Sequence, residues 1–232
     1  MPTPRQLHVA LLLPGGHVLV VGGDDGQLPL ADALLYDPVA NSWTATTTIA
    51  TPQDLPTATI LGNGKVLVTS GLSQGSPGYS EFYDPSSNSW TNEPNMHSAH
   101  VLGATATLLD DGRVLVAGGQ VDIQGTAMAA PEIYDQTTNV WSLAGTMANG
   151  RKEHTATLLP SGKVLVAGGF NNNFAEFSST ELYDPATITW SAGTSMSTAR
   201  NHHGAVLLPQ GAVFVTGGQA QGVALQSSEL YW

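Results

Sequence analysis

The sequence contains no cysteine and little positive charge. Lys plus Arg number 7 against 18 Asp plus Glu, so the formal net charge is −11. Without cysteine there is no disulfide, thiolate nucleophile, zinc–thiolate site or thioether cross-link. A strongly acidic surface repels phosphate, which disfavours nucleic acid as a partner. No segment reaches the roughly 18 uninterrupted apolar residues of a membrane-spanning helix, so we expect no membrane insertion.

One sequence motif occurs five times. Residues 154–169, HTATLLPSGKVLVAGG, have counterparts at residues 8–23, 56–71, 104–119 and 203–218. The glycines that close these runs are spaced by 48, 48, 50 and 49 residues. A second motif, of the type ELYDPATITW, follows each copy of the first and is shortened to ELYW in the fifth copy. A period of about 40 to 50 residues is typical of radial or stacked repeat folds.

Each copy has the periodicity of β-strands. The run KVLVAGG is almost continuously apolar, as in a strand that is covered on both faces. A tight turn such as LPSG, which ends at Gly162, separates it from the alternating run before it. A third strand carries the Tyr and a fourth carries the Trp, and no stretch has a sustained helical period. Four antiparallel strands per repeat indicate blades arranged around an axis.

The repeat resembles the kelch motif. The Gly-Gly pair, the Tyr about a dozen residues later and the Trp seven residues after that are similar to the motif of galactose-oxidase-like and other kelch propellers. The resemblance implies an all-β fold, a five-bladed kelch-type β-propeller of four-stranded antiparallel blades. Trp232 occupies the place of the Asp in the other copies, so the last blade is expected to lack its outer strand.

We expect residues 1–232 to form a single β-propeller domain. The repeats fall at approximately residues 1–46, 47–95, 96–146, 147–195 and 196–232. A six- or seven-bladed parent, of which this chain is a part, stays open as the alternative. Kelch propellers include both enzymes and binding modules, so the fold alone does not decide the function.

The variable loops of the repeats are expected at one end of the propeller. In antiparallel blades, the loops between second and third strands share an end with the connections between blades, and the tight turns lie at the other end. A rigid scaffold usually places recognition in such loops. The candidate ligand-binding residues on this loop rim are Arg5, His8, Asp24, Asp25, His100, Asp122, Arg151, His154, Phe170, Asn172, Arg200, His202 and His203.

Three copies share an Arg-x-x-His pair at the start of the first strand. The pairs are Arg5 with His8, Arg151 with His154, and Arg200 with His203. A structural device explains such a repeated pair, with the Arg bonding loop carbonyls and the His starting the strand. The functional alternatives are a ring that binds an anionic or polyhydroxylated ligand at the channel mouth, and metal ligation by several His. Phe170 and His202 depart from the repeat and are better candidates for ligand contact, whereas the recurring Trp and Tyr are predicted to pack between blades.

The sequence favours a non-catalytic module that binds a glycan or a protein on the loop rim, without a cofactor or metal. Amides and carboxylates in the loops suit hydroxyl recognition. The likeness to galactose-oxidase-like proteins suggests copper-radical oxidation, but that site needs a Cys cross-linked to a Tyr, and this chain has no Cys. The alternative is a carbohydrate-active enzyme, an epimerase, mutarotase or hydrolase, with Arg151, Glu153 and His154 at the channel mouth.

A third hypothesis assigns the last blade a role in assembly. A blade without its outer strand leaves unpaired backbone groups, which pair with another chain or a neighbouring domain by strand addition. Self-association through this open edge is therefore expected as a further property of the chain. The resemblance to secreted bacterial kelch proteins implies an extracellular location.

Overall fold

The computed structural model describes residues 1–69, 71, 78–121 and 125–232. Its strands form five blades. Blade 1 contains β1 (Val9–Leu12), β2 (Val18–Val21), β3 (Ala33–Asp37) and β4 (Ser42–Ala45). Blade 2 contains β5 (Thr57–Ile60), β6 (Val66–Thr69), β7 (Ser80–Asp84) and β8 (Ser89–Asn92). Blade 3 contains β9 (Val101–Leu108), β10 (Val114–Gln120), β11 (Glu132–Asp135) and β12 (Val140–Leu143).

The last two blades differ in their number of strands. Blade 4 contains β13 (Thr155–Leu158), β14 (Val164–Ala167), β15 (Thr180–Asp184) and β16 (Thr189–Ala192). Blade 5 contains β17 (Gly204–Leu207), β18 (Val213–Thr216) and β21 (Ser228–Tyr231), and its second loop carries the hairpin β19 (Gln219–Ala220) and β20 (Val223–Ala224). No helix occurs within the described ranges. The prediction of an all-β fold with five blades, of which the last has three strands, is confirmed.

Neighbouring strands pair antiparallel, in sequence order, within every blade. Two turns of blade 4 show how the local sequence achieves this. Gly162 adopts a φ of 78° and its N–H donates to Leu159 O at 2.9 Å, which closes the first hairpin. Asp184 accepts a backbone N–H from the turn that follows it, which sets β15 against β16. Tyr183 and Trp190 then lie opposite each other, with ring centroids 5.1 Å apart.

The apolar core lies between consecutive blades. Four clusters of buried side chains join blades 1 and 2, 2 and 3, 3 and 4, and 4 and 5. Between blades 3 and 4, Leu115 packs against Val164 and Tyr183, and Trp190 donates its indole N–H to Ala144 O at 2.7 Å. In blades 2, 3 and 4 the second strand is buried along its whole length because a blade covers each of its faces, whereas β18 of blade 5 is partly exposed at Phe214 and exposed at Thr216. The predicted packing of Tyr and Trp between blades is confirmed for these copies.

Blades are arranged so that the variable loops and the inter-blade connections meet. The inner strands β1, β5, β9, β13 and β17 pack side by side in that order. In blades 1, 4 and 5, isolated antiparallel bridges join the second loop to the connection that enters the same blade: Asp24 to Gln6, Phe170 to Lys152, and Gln219 to Asn201. These contacts form the loop rim that the strand directions predict. Among the described residues there is no helix with the length and apolarity needed to cross a bilayer.

Candidate functional site

Arg151 is fully buried in blade 4. Its Nη1 donates to the carbonyl oxygens of Gly168 at 2.8 Å and Ser179 at 3.1 Å, and its Nη2 donates to Glu181 Oε1 at 2.7 Å. Glu181 also accepts the backbone N–H of Ala148, at 2.7 Å, from the connection that enters the blade. A buried guanidinium is costly unless it is paired and hydrogen-bonded. These contacts form the structural device that the Arg-x-x-His pair suggested.

The first and last blades contain the same device. Arg200 Nη2 lies 2.7 Å from Glu229 Oε1, and Arg5 Nη2 lies 2.6 Å from Asp32 Oδ2. Both guanidinium side chains are fully buried. In blade 1 the residue at the Glu181 position is Leu34, and Asp32, two residues earlier, supplies the carboxylate. The position of the carboxylate therefore shifts between copies while the buried ion pair is kept.

His100 replaces the arginine in blade 3. Its Nδ1 lies 2.8 Å from Gly118 O, and its Nε2 lies 3.4 Å from Glu132 Oε1, with both side chains fully buried. Glu132 accepts the backbone N–H groups of His97 and Ser98 as well, at 2.8 Å each. Hydrogen bonds to the carboxylate from His100 and His97 hold the pKa of Glu132 below its usual value, although burial alone raises it. The sequence analysis placed His100 near the rim. It did not predict that His100 takes the role of the buried arginine, because blade 3 has no arginine at the corresponding position of the repeat.

His154 and His203 link neighbouring blades. His154 Nε2 lies 3.0 Å from Thr105 Oγ1 in blade 3, and His203 Nε2 lies 2.9 Å from Thr155 Oγ1 in blade 4. Burial, assisted by the nearby arginine charge, lowers the pKa of His154 to about 3 and that of His203 to about 4. Both imidazoles are therefore neutral at physiological pH and act as contacts between blades. Ligand binding by the Arg-x-x-His residues stays a prediction.

Several other candidate residues shape their own loops. Asp24 Oδ1 accepts the N–H of Gly26 at 2.6 Å, and Asp25 accepts two backbone N–H groups that lower its pKa. Asn172 Oδ1 accepts a backbone N–H from the second loop of blade 3. Asp122 lies outside the described residues. His8, in contrast to His154, is exposed.

The structure brings Phe170 and His202 together with Phe174. The planes of Phe170 and Phe174 differ by 15° with centroids 5.8 Å apart, and those of Phe170 and His202 differ by 23° at 6.4 Å. Lys152 Nζ lies 5.0 Å from the Phe170 centroid. Phe174 is 78% exposed. We call Phe170, Phe174 and His202 the aromatic row, and clustered exposed aromatic rings make it a candidate recognition site.

The backbone holds the aromatic row in place. Phe170 exchanges two backbone hydrogen bonds with Lys152, at 3.0 and 3.1 Å. Phe174 and His202 have left-handed φ angles of 56° and 52°, and His202 N donates to Glu153 O at 3.1 Å. Leu7, Leu55 and Glu153 have the same left-handed φ at the corresponding positions of their repeats, so this conformation of His202 belongs to the repeat, whereas that of Phe174 belongs to the variable loop. Two loops from different blades thus present the three rings.

A cleft of about 360 Å³ adjoins the aromatic row. Its polar wall is formed by Glu176, Asn201, Gln219 and Gln221. The Glu176 carboxylate accepts Gln221 N at 2.7 and 2.8 Å and Asn201 Nδ2 at 3.1 Å, while Asn201 Oδ1 accepts Gln219 Nε2 at 3.1 Å. These bonds fix the orientation of the Asn201 and Gln219 side-chain amides. Carboxylate and amide oxygens have further lone pairs that remain for a ligand.

His202 connects the aromatic row to a second carboxylate. Its Nδ1 lies 2.6 Å from Asn201 Oδ1, and its Nε2 lies 3.4 Å from Glu153 Oε2. The His202 side chain is 52% exposed and the Glu153 side chain 26% exposed. The cleft therefore combines ring faces, amides and the Glu176 carboxylate, and its His202 ring contacts Glu153, which does not line the cleft.

Phe174 and Glu176 were missed by the sequence analysis. The signal available was the recurrence of aromatic residues in the short loop GGFNNNFAEF, at Phe170, Phe174 and Phe177. Phe177 does not join the aromatic row: its ring lies 4.9 Å from the Arg151 guanidinium carbon. Sequence spacing gives no means of telling these two environments apart.

The residues named for an enzyme do not form one open site. Arg151 and His154 are buried and bonded within the fold, whereas Glu153 contacts His202 on the rim. Within the described ranges, no group of three or more His, Asp or Glu side chains is arranged to hold a metal ion. Catalysis by Arg151, Glu153 and His154 stays a prediction.

Comparison with known proteins identifies the repeats. The family model of the kelch motif matches residues 8–48 and 104–148. An F-box/kelch-repeat protein of Arabidopsis thaliana is 27% identical over 144 residues, which cover 54% of this chain and 30% of the relative. Kelch-like protein terF of Aspergillus terreus is 28% identical over 50% of this chain and 27% of its own length. Galactose oxidase of Gibberella zeae is 30% identical over 52% of this chain and 17% of its own length.

This chain spans less than a third of the length of each of these three relatives. The solved structure of YjhT is similar with a TM-score of 0.78 and 17% sequence identity, covering 98% of this chain and 81% of that chain. At this identity the likeness shows the fold alone. The repeated motif, the matched segments and the blades show that this chain has kelch repeats and a β-propeller fold.

Proposed function

We propose that this chain is a non-catalytic binding module whose partner contacts the loop rim at blades 4 and 5. The observation that carries the proposal is the exposed aromatic row beside a polar cleft. Kelch-repeat propellers are typically interaction modules, and the comparisons support this general role. Exposed aromatic side chains commonly dominate the energy of such contacts.

A glycan is the ligand class that this geometry favours. The C–H face of a sugar ring packs on an exposed aromatic ring, and its hydroxyl groups bond to fixed amides and carboxylates. Phe174 supplies the exposed ring, and Glu176 with Gln221 supplies polar groups along the cleft. Ligand sites usually combine an apolar wall with a few convergent polar groups, as this cleft does.

A protein segment is the second candidate partner. Phe174 is 78% exposed at the tip of its loop and is suited to anchor in a pocket of another protein. A carbohydrate-active enzyme is a further alternative, and only Glu153, with its contact to His202, lies on the rim to support it. Loss of turnover in Glu153→Gln with the fold intact would distinguish this alternative from binding alone.

The test is thermal unfolding of the purified chain against a panel of oligosaccharides and sugar acids. At about 100 times its dissociation constant, a ligand adds roughly 2.7 kcal/mol to the unfolding free energy, which shifts the midpoint measurably. We expect Phe174→Ala to abolish the shift and Val39→Ala, at a 95% exposed position in an outer turn, to retain it.

Two results would contradict the glycan proposal. A shift that Phe174→Ala leaves unchanged would place the site elsewhere. No shift with any sugar would favour the protein candidate, which is then tested by selecting peptides from a displayed library on the chain and on Phe174→Ala. Peptides that bind both proteins equally would contradict that candidate too.

A further inference from the structure

The positive charges of this chain are occupied in ion pairs away from the cleft. All seven Lys and Arg residues fall within the described part of the chain. Three arginines have buried side chains and are paired with carboxylates: Arg5, Arg151 and Arg200. Three further cations lie at the tight turns, at the end of the blades opposite the loop rim, and each pairs with an aspartate there: Lys65 with Asp84, Arg113 with Asp111, and Lys163 with Asp184. A ligand on the loop rim therefore cannot use these six side chains.

Lys152 is the remaining cation, and it is bonded within the fold. The residue is 9% exposed, and its Nζ donates to Gln120 Oε1 at 2.8 Å and to Gly125 O at 3.1 Å. The same Nζ lies 5.0 Å from the Phe170 centroid, which places its charge beside that ring. Among the described residues that line the cleft, none is Lys or Arg. An anionic ligand would find no basic side chain in the cleft wall.

Glu176 is the carboxylate of the cleft wall, and within the described ranges it has no cationic partner. Its hydrogen bonds come from neutral groups, Gln221 N and Asn201 Nδ2. The carboxylates of Glu181 and Glu229, by contrast, are each paired with an arginine. Neutral donors orient a carboxylate but leave its negative charge in place. The charge of Glu176 therefore favours a cation in the cleft.

Phe174 adds a second preference for positive charge. The face of an aromatic ring attracts a cation through the ring quadrupole, and ammonium groups are recognised by aromatic side chains in this way. Phe174 is 78% exposed and lines the same cleft as Glu176. The Phe170 ring already has the Lys152 ammonium group beside it. A ligand cation is therefore best placed at Phe174 and Glu176 rather than at Phe170.

On the basis of the glycan site proposed above, we infer that its ligand is an amino sugar, a glycan whose rings carry protonated amines in place of hydroxyl or acetamido groups. A neutral sugar uses only the ring faces and amides of the cleft, whereas a protonated amine also uses the charge of Glu176. The amine lies against the Phe174 ring and the Glu176 carboxylate, and the hydroxyl groups bond to the amides of Asn201 and Gln219. The net charge of −11 attracts such a cationic glycan at longer range.

Three tetrasaccharides with the same backbone and linkage test this inference. They differ only at C2 of each ring, which carries a hydroxyl group in the glucose oligomer, an acetamido group in the N-acetylglucosamine oligomer and an amine in the glucosamine oligomer. Calorimetric titration at about pH 6, where the amine is protonated, gives the dissociation constant of each. We expect the glucosamine oligomer to bind about tenfold more tightly than the other two.

Two variants each remove one negative charge, from opposite ends of the blades. Glu176→Gln removes the carboxylate of the cleft, and Asp110→Asn removes an exposed carboxylate from the tight turn between β9 and β10. We expect Glu176→Gln to bind the amine and the two neutral oligomers with equal affinity, and Asp110→Asn to keep the preference for the amine. Because both variants have the same net charge, the comparison separates a local contact from attraction by the whole molecule. A preference that Glu176→Gln retains would overturn the inference.

Salt provides a measurement on the unaltered chain, which decides the question even if Glu176→Gln does not fold. Raising the ionic strength from about 0.02 M to about 0.5 M shortens the screening length several-fold. We expect this change to weaken binding of the glucosamine oligomer at least threefold or so and to leave the neutral oligomers unaffected. Binding of the amine that is insensitive to salt would contradict recognition of its charge.

Phe174→Ala distinguishes failure of this inference from failure of the proposed function. If the three oligomers bind equally and all lose binding in Phe174→Ala, the amine preference is wrong while the glycan site is retained. If no oligomer binds, both are wrong. A lysine tripeptide is the last probe: if it binds in a Glu176-dependent manner and the glucosamine oligomer does not, the cleft recognises a protein and the amino-sugar inference is overturned.

Discussion

At the scale of single residues, the same side-chain type has different roles in different copies. Arg151 and Arg200 are buried in ion pairs, and His154 is neutral and bonded between blades, whereas His202, one residue before His203, is half-exposed on the rim. Arg151, Arg200 and His154 are in phase with the repeat and buried, although His8, at the His154 position of blade 1, is exposed. The two departures that the sequence singled out, Phe170 and His202, lie together in the aromatic row.

The buried ion pair of blade 4 is expected to be essential for stability. Glu181→Gln leaves the Arg151 guanidinium buried without its counter-charge, and breaking such a pair typically costs about 3 to 5 kcal/mol. Lys163→Met, which removes the half-exposed partner of Asp184, should cost at most about 1 kcal/mol. Urea unfolding monitored by tryptophan fluorescence measures both. Equal losses in the two variants would contradict this account of Arg151.

Stability is expected to fall with acidification between about pH 6.5 and pH 4. The folded pKa of His154 is about 3 and that of His203 about 4, below the unfolded value of about 6.5. The unfolded state therefore binds more protons in this interval, and stability is lost as pH falls through it, by at most about 1.4 kcal/mol per pH unit for each histidine. His154→Gln should make the dependence of the urea midpoint on pH shallower, whereas His17→Gln, at an exposed outer turn, should leave it unchanged. An unaltered slope in His154→Gln would refute the assignment.

At the scale of elements, the blades are secured to each other through their glycine pairs. Gly168 needs a left-handed φ and also has the next blade within the reach of a Cβ. Gly217 has the same φ and no such neighbour. The glycine pair of the kelch motif thus serves both the backbone conformation and the close approach of blades.

Comparison of Gly168→Ala with Gly217→Ala in the 232-residue chain separates these two roles. Both variants share the strain of left-handed alanine, roughly 1 to 2 kcal/mol. Gly168→Ala should lose an additional 1 to 3 kcal/mol or so, because its Cβ overlaps Arg200 O. The difference in urea midpoint between the variants is the measurement. Equal midpoints would show that conformation alone explains the glycine.

At the scale of the whole molecule, the outer strand β21 of blade 5 has an open edge. Blade 5 pairs only β17, β18 and β21, so one side of β21 has unpaired backbone groups among the described residues. Self-association through this edge stays a prediction of the sequence analysis. Sedimentation over a range of concentrations measures it, and if mass increases with concentration, Leu230→Pro should abolish the increase because proline removes a backbone donor. Constant monomeric mass would exclude strand addition between copies.

The sequence alone determined the fold, because a fivefold repeat of strand periodicity and turn glycines constrains every blade in the same way. The turn at Gly162 and the packing of Tyr183 against Trp190 could be predicted from the residues close to them in the sequence. Location and ligand class stay predictions, because neither the sequence nor the comparisons fix them.

The tertiary structure decided which candidate residues are available. It buried Arg151 and His154, placed His100 in the role of an arginine, and added Phe174 and Glu176 to the cleft. Repeat spacing is a property of one blade, whereas burial, ion pairing and stacking depend on atoms that different blades bring together in three dimensions.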